Sequence, residues 1–214
     1  MKLPGHIQGA IFDLDGTLLD SLHVWQDVDV RFFAKRNLPM PPEYHHVVKA
    51  MELYEAAIYT KEQFNLPETP EDLVQEWYEM VREEYALRVA MKPHAKELLQ
   101  ALHAQNIKLA VATSSSRDIF MPALQRHGVA QFFSSFTQSS EAARGKNYPD
   151  VYLLAAKRLG LLPENCAVFE DILVGIRSAK KGGFYTVGTV DLYSETDDIK
   201  KECDLFLHSF SELL

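Results

Sequence analysis

The chain is poor in sulfur: its 214 residues hold two cysteines, Cys166 and Cys203. Two thiols exclude a disulfide framework and are expected to be reduced and buried. No apolar run approaches the roughly 18 residues that a spanning helix needs. Residues 1–8 show no basic start followed by an apolar block, so no secretory leader is expected and a cytoplasmic protein is. Long basic runs are missing too; Lys180-Lys181 and Lys200-Lys201 are only pairs. With 30 Asp plus Glu against 22 Lys plus Arg, the formal net charge is −8. A net negative field repels polyanions, so neither nucleic acid nor an anionic membrane is expected as the main partner. A small phosphate stays open, because a local cluster decides its binding. There is no internal repeat and no low-complexity tract. Hydrophobic residues at 47% and charged residues at 24% fit a globular fold and exclude disorder.

What is present is an alternation of short apolar runs and helical patterns. Gly9-Ala10-Ile11-Phe12 reads as a buried strand that ends in two carboxylates and a turn, Asp13-Leu14-Asp15-Gly16-Thr17. Residues 20–88 carry no convincing buried strand. Leu22, Trp25, Val28 and Phe32 recur at helical spacing, as do Leu73, Trp77, Met80 and Tyr85. Thr69 reads as an N-cap with Pro70 at the first helical position. Pro39, Pro41, Pro42 and Pro67 separate three or four amphipathic helices.

Beyond Pro93 the pattern changes. A helix over 94–105 precedes an apolar strand over 107–112 and Thr113-Ser114-Ser115-Ser116. Another helix runs to His127, with Gly128 as its cap, before a strand over 135–138. A helix over 150–159 leads to the strand 166–169, which ends in Glu170-Asp171. A helix over 175–181 and strands over 185–187 and 205–207 close the chain. Strands alternating with helices predict an α/β fold, a three-layer doubly wound parallel sheet. An all-helical insertion interrupts it after the first strand. The expected division is a discontinuous core of 1–19 and 91–214 and an inserted domain of 20–90.

Each polar cluster follows a strand: Asp13 and Asp15, then Thr113 and Ser114, then Lys146, then Glu170 and Asp171. Ligands of open α/β sheets bind at the carboxyl ends of strands, so this fold gathers the clusters at one point. Four carboxylates at close range repel one another unless a cation joins them. Oxygen donors without His or Cys favour Mg²⁺. A lysine and hydroxyls beside them suit an anion. Together they suggest phosphoryl transfer.

In order and kind, Asp13-Leu14-Asp15-Gly16-Thr17, Thr113, Lys146 and Glu170-Asp171 resemble the four motifs of the haloacid dehalogenase (HAD) superfamily of phosphotransferases. A helical insertion directly after the first motif resembles the subgroup with a helical cap, which includes β-phosphoglucomutases and sugar phosphatases. The resemblance implies that Asp13 is the nucleophile forming an aspartyl-phosphate and also a Mg²⁺ ligand. It makes Asp15 the general acid and then base, with its backbone carbonyl on the metal. Thr113 and the backbone of Ser114 would hold phosphoryl oxygens, Lys146 would neutralise charge on Asp13 and the phosphoryl group, and Glu170 and Asp171 would complete the metal site.

Two departures stand out. The usual Gly-Lys-Pro-x-Pro-Asp is Gly145-Lys146-Asn147-Tyr148-Pro149-Asp150 here, which predicts a less rigid loop. The usual Glu-Asp-Ser is Glu170-Asp171-Ile172, which removes a hydroxyl that could steady the metal ligands.

The implied activity is Mg²⁺-dependent hydrolysis of a small phosphorylated metabolite, with sugar phosphates among the classes. The alternative is a phosphosugar mutase. Mutases of the β-phosphoglucomutase type carry a histidine in the first cap helix and an arginine and a lysine deeper in the cap. Those positions fall here on Trp25, near Leu53 and near Val81, which favours the hydrolase. A dehalogenase would not need Asp15, since a halide leaves without a proton. A merely phosphate-binding protein would not need nucleophile and acid together. In the insertion, His23 is a candidate substrate contact near the hinge. Trp25 and Tyr85 are expected to pack between cap helices. A monomer is expected.

Overall fold

The computed structural model describes residues 2–49, 51–191 and 196–214. The chain forms two compact units, one of Met1–Leu22 with Val89–Leu214 and one of His23–Arg88.

In chain order, the first unit begins with β1 (Gly9–Phe12) and the two-residue β2 (Leu19–Asp20). The second unit is helical: α1 (Val24–Lys35), α2 (Tyr44–Val48), α3 (Leu53–Phe64) and α4 (Pro70–Leu87). The chain then returns through β3 (Ala90–Met91), α5 (Ala95–Ala104), β4 (Lys108–Thr113), α6 (Arg117–Arg126) and β5 (Phe133–Gln138). It continues with α7 (Asp150–Leu159), β6 (Cys166–Glu170), α8 (Leu173–Lys181), β7 (Tyr185–Thr189), α9 (Thr196–Glu202) and β8 (Leu205–Leu207).

Six strands form one sheet in the order β5-β4-β1-β6-β7-β8, and every neighbouring pair is parallel. The central strands are buried on both faces, which is why they read as unbroken apolar runs. β1 lies between β4 and β6, so the strand order reverses there. Phe12 sits opposite Val111 on one side and Phe169 on the other. The rings of Phe12 and Phe169 stack at 4.3 Å. This register brings Asp13 and Glu170, each one residue further on, to the same end of the sheet. The Asp13 N–H donates to the Phe169 carbonyl at 3.0 Å.

The division of the chain falls a few residues from 20 and 90. Leu19 and Asp20 pair antiparallel with Met91 and Ala90, so this small ribbon belongs to the α/β unit. Two residues per strand leave no periodic signal in sequence. The helix α9 is also additional to the sequence reading. Asp197 and Asp198 in its first turn and Lys200 and Lys201 in its last complement the helix dipole.

Within the helical unit, Thr69 caps α4 with Pro70 following, and the cap is reciprocal through Asp72. The core holds Phe32 edge-on to Trp77, and Phe33 against Tyr44 and Phe64. Arg36 lies over the Phe32 ring and pairs with Glu68 and Glu76 at 2.6 Å each. Tyr85 is buried as expected, but Trp25 is 39% exposed. The buried stripe of α1 runs through Val24, Val28 and Phe32. Trp25 is one residue, about 100°, around the helix from Val24.

Cys166 is buried, and burial pushes its thiol up to about 11; Cys203 is half-buried, and both are free. Among the described residues, no helix is long and apolar enough to cross a membrane.

Candidate active site

Asp13 leaves the end of β1 into the interior and is buried. Its Oδ1 accepts from the Lys146 ammonium. The same ammonium donates to Glu170 Oε1 at 2.7 Å. Asp171, next to Glu170, accepts from the Thr17 hydroxyl at 2.8 Å through Oδ1. Asp13, Glu170 and Asp171 each offer a carboxylate oxygen, and these atoms lie within 4.8 Å of one another. All three residues are buried.

The turn after β1 is shaped for this crowding. Gly16 has φ +86°, and a Cβ there would lie 2.3 Å from Asp171 Oδ2. Any other residue would be both strained and in collision with a carboxylate. Gly175, in the first turns of α8, serves Glu170 in the same way: its Cβ would sit 2.6 Å from the Glu170 carboxyl carbon.

The electrostatics show too little positive charge. Burial pushes the Asp13 carboxyl well above its usual range; Lys146 pulls it back, while Glu170, Asp171 and Asp15 push it further. Asp171 is pushed up to about 7 by burial and by Glu170, against the Thr17 hydroxyl and Lys146. Asp191, ion-paired to Lys92, adds negative charge near it. Burial alone would lower Lys146, but Asp13 and Glu170 outweigh it and raise the ammonium above its ordinary value. One lysine faces three buried carboxylates. Two of their oxygens, Glu170 Oε2 and Asp171 Oδ2, are buried without a hydrogen-bond partner among the described residues. Such orphans are costly unless something positive meets them. The donors are all hard oxygens, which suits a hard divalent cation.

Asp15 is held differently. It is half-buried and accepts from the Ser21 hydroxyl at 2.7 Å and from Ser115. Two carboxylates two residues apart thus have separate surroundings, one on an ammonium and one on hydroxyls. That is how paired acids acquire distinct roles. Thr113 is buried at the end of β4, where its Oγ1 accepts from the Ser115 N–H at 3.1 Å. Ser114 is exposed, with its hydroxyl 3.2 Å from that of Ser139. His23 opens the helical unit, where it is exposed and its Nε2 lies 3.6 Å from Asp27.

The loop bearing Lys146 is tied despite the missing proline. Arg144 donates twice to Asp150, both at 2.9 Å, and lies 4.0 Å over the Tyr148 ring. The Tyr148 N–H donates to the Gly145 carbonyl at 3.0 Å. These contacts hold the loop on either side of Lys146, at the position where the proline is absent.

Sequence reasoning assigned no role to Thr17, Ser21, Ser115, Tyr152 or Gly175. Thr17 and Ser115 lie inside quoted motifs, where hydroxyls beside carboxylates are a usable signal. Tyr152 carries none: on α7 it reads only as one of the apolar residues facing the sheet.

A family model of haloacid dehalogenase-like hydrolases matches residues 7–183. Hexitol phosphatase A of Escherichia coli K12 is 31% identical over 96% of this chain and 93% of its own. A phosphorylated carbohydrates phosphatase of Thermotoga maritima is 25% identical over 83% and 82%. Among solved structures, a candidate β-phosphoglucomutase from Thermotoga maritima superposes with a TM-score of 0.85 at 23% identity, covering 94% of each chain.

Proposed function

The chain belongs to the haloacid dehalogenase-like hydrolases and is a phosphomonoester hydrolase; on that premise we propose that it hydrolyses a small phosphorylated metabolite, of the sugar or sugar-alcohol phosphate class, through an aspartyl-phosphate on Asp13. The observation that carries the reading is the unlike pair: Asp13 on Lys146, Asp15 on two hydroxyls.

An Asp13 carboxylate oxygen forms the bond to phosphorus as the ester oxygen leaves. Asp15 gives the leaving alkoxide its proton. It then takes a proton from water, which attacks the phosphorus and frees Asp13 and inorganic phosphate. Lys146 stays protonated and screens Asp13 from the incoming anion. Thr113 and the Ser114 N–H are assigned to the phosphoryl oxygens. Substrate selection is assigned to the helical unit acting as a cap, His23 included. Asp13, Glu170, Asp171 and the Asp15 carbonyl would hold Mg²⁺, whose chemistry is to neutralise the phosphoryl oxygens and the carboxylates.

A screen of phosphorylated metabolites with Mg²⁺, reading phosphate release, tests the proposal. Release from sugar phosphates or sugar-alcohol phosphates is expected. Conversion of β-glucose 1-phosphate to glucose 6-phosphate without phosphate release would instead identify a mutase. No turnover across a broad panel would leave a binding protein.

Metal removal has a pH signature. In the folded chain burial and Glu170 push the Asp171 carboxyl from its ordinary value of 3.8 up to about 7. A carboxyl raised on folding contributes stability that is fully present below about pH 4 and is lost as pH rises through about 7. A cation on the ionised carboxylates reverses that loss. The rise in melting temperature on adding Mg²⁺ to EDTA-stripped protein is therefore expected to be larger at about pH 7.5 than at about pH 5. A rise of equal size at both pH values would contradict this.

A further inference from the structure

We propose that the Tyr152 hydroxyl is a positioning group for the cation site: it fixes the Glu170 carboxylate so that one oxygen is committed to protein donors and the other is kept for the metal. This rests on the Mg²⁺ reading above and adds a residue outside the strand-end motifs.

Tyr152 is fully buried on α7, and its hydroxyl donates to Glu170 Oε1 at 2.6 Å. Lys146 donates to the same atom at 2.7 Å. Both donors thus converge on Oε1. Oε2 is left buried without a partner among the described residues. The carboxylate has little room to turn over. A Cβ on Gly175 would stand 2.9 Å from Oε2 and 2.8 Å from Oε1, so the α8 backbone closes that side. A buried carboxylate would lower its free energy by sharing two donors between its two oxygens. Here they meet on one, which leaves the other as a ligand atom. Groups that orient a metal ligand in this way set its affinity. The arrangement also answers the missing loop hydroxyl at Ile172. Thr17 donates to Asp171 and Tyr152 to Glu170, so each of the two adjacent acids has its own hydroxyl from a distant element.

Tyr152→Phe removes the hydroxyl and keeps the ring, which packs 6.3 Å from Phe184. In substrate-free protein, calorimetric titration with Mg²⁺ is expected to show affinity weakened about tenfold. The Mg²⁺ concentration for half-maximal turnover should rise by the same factor while KM for the phosphate ester at saturating Mg²⁺ holds. In a Glu170→Gln background, Tyr152→Phe should add little to the weakening that Glu170→Gln already causes. Wild-type Mg²⁺ affinity in Tyr152→Phe would overturn the inference, whether or not the variant melts lower in EDTA. So would a tenfold loss that persists in full on Glu170→Gln. If unaltered protein takes up no Mg²⁺ at all, the metal reading itself is wrong and this inference falls with it.

Discussion

Replacing Asp13 with asparagine is expected to cut phosphate release by about 10⁴-fold or more, the scale seen when an enzyme loses its nucleophile. An amide nitrogen or oxygen does not form the acyl-phosphate bond that a carboxylate does. The fold should survive, because the change is nearly isosteric. Asparagine keeps an oxygen that accepts from Lys146, and Lys146 keeps Glu170. The substitution also removes a carboxyl that burial and three neighbouring acids disfavour in its charged form. The metal-free variant should therefore melt no lower than the parent, and at neutral pH slightly higher. Phosphate release at saturating Mg²⁺ and a melting curve in EDTA check the two halves. Release within about tenfold of the parent would remove Asp13 from the nucleophile's role.

Replacing Lys146 with methionine is the second large effect, and it acts on stability as well as on rate. The methionine fills similar space and carries no charge. Asp13 and Glu170 then lose the ammonium that they share. Breaking a buried ion pair from one side typically costs about 3–5 kcal/mol, because the other charge stays buried and unpaired. Here burial already pushes the Asp13 carboxyl up, so it can take up a proton, and the loss should be largest at about pH 8 and smaller at about pH 5. Mg²⁺ should recover part of it by supplying positive charge at the same cluster. Turnover should fall by about 10²–10³-fold, the usual effect of removing one charged group that stabilises a transition state. Urea unfolding at the two pH values, with EDTA and with Mg²⁺, separates these contributions. A loss independent of both pH and Mg²⁺ would mean that Lys146 supports the loop through packing alone.

Both predictions concern residues that the sequence singled out, and the reason lies in strand chemistry. A parallel strand buried on both faces must be apolar, so polar residues stand out where it stops. Gly9–Phe12 ends at Asp13 and Cys166–Glu170 ends at Glu170-Asp171. Helix ends were legible on similar grounds: Thr69 and Pro70 start α4 through local hydrogen bonds that need no tertiary context. Elements without a local signal were not. The pairing of Leu19 and Asp20 with Ala90 and Met91 joins residues some seventy positions apart through two residues a side. Trp25 kept helical spacing with its neighbours, yet the packed stripe begins at Val24. Spacing alone does not choose among faces a residue apart.

By itself the sequence determined the alternating α/β order, the helical insertion after the first strand, and the residue types delivered to one end of the sheet. Those follow from short-range rules: burial sets composition, and caps and turns set boundaries. Only the tertiary structure decided which oxygen meets which donor. Thr17 reaches Asp171, Ser115 reaches Asp15, and Tyr152 joins Lys146 on a single oxygen of Glu170. Such pairings depend on strand register and on where α7 and the loops after β1 and β4 come to lie, distances that no local pattern encodes. The acid excess first read as a bar to polyanions thus has a second meaning, since three of those acids are buried around one lysine, with two of their oxygens lacking a hydrogen-bond partner among the described residues.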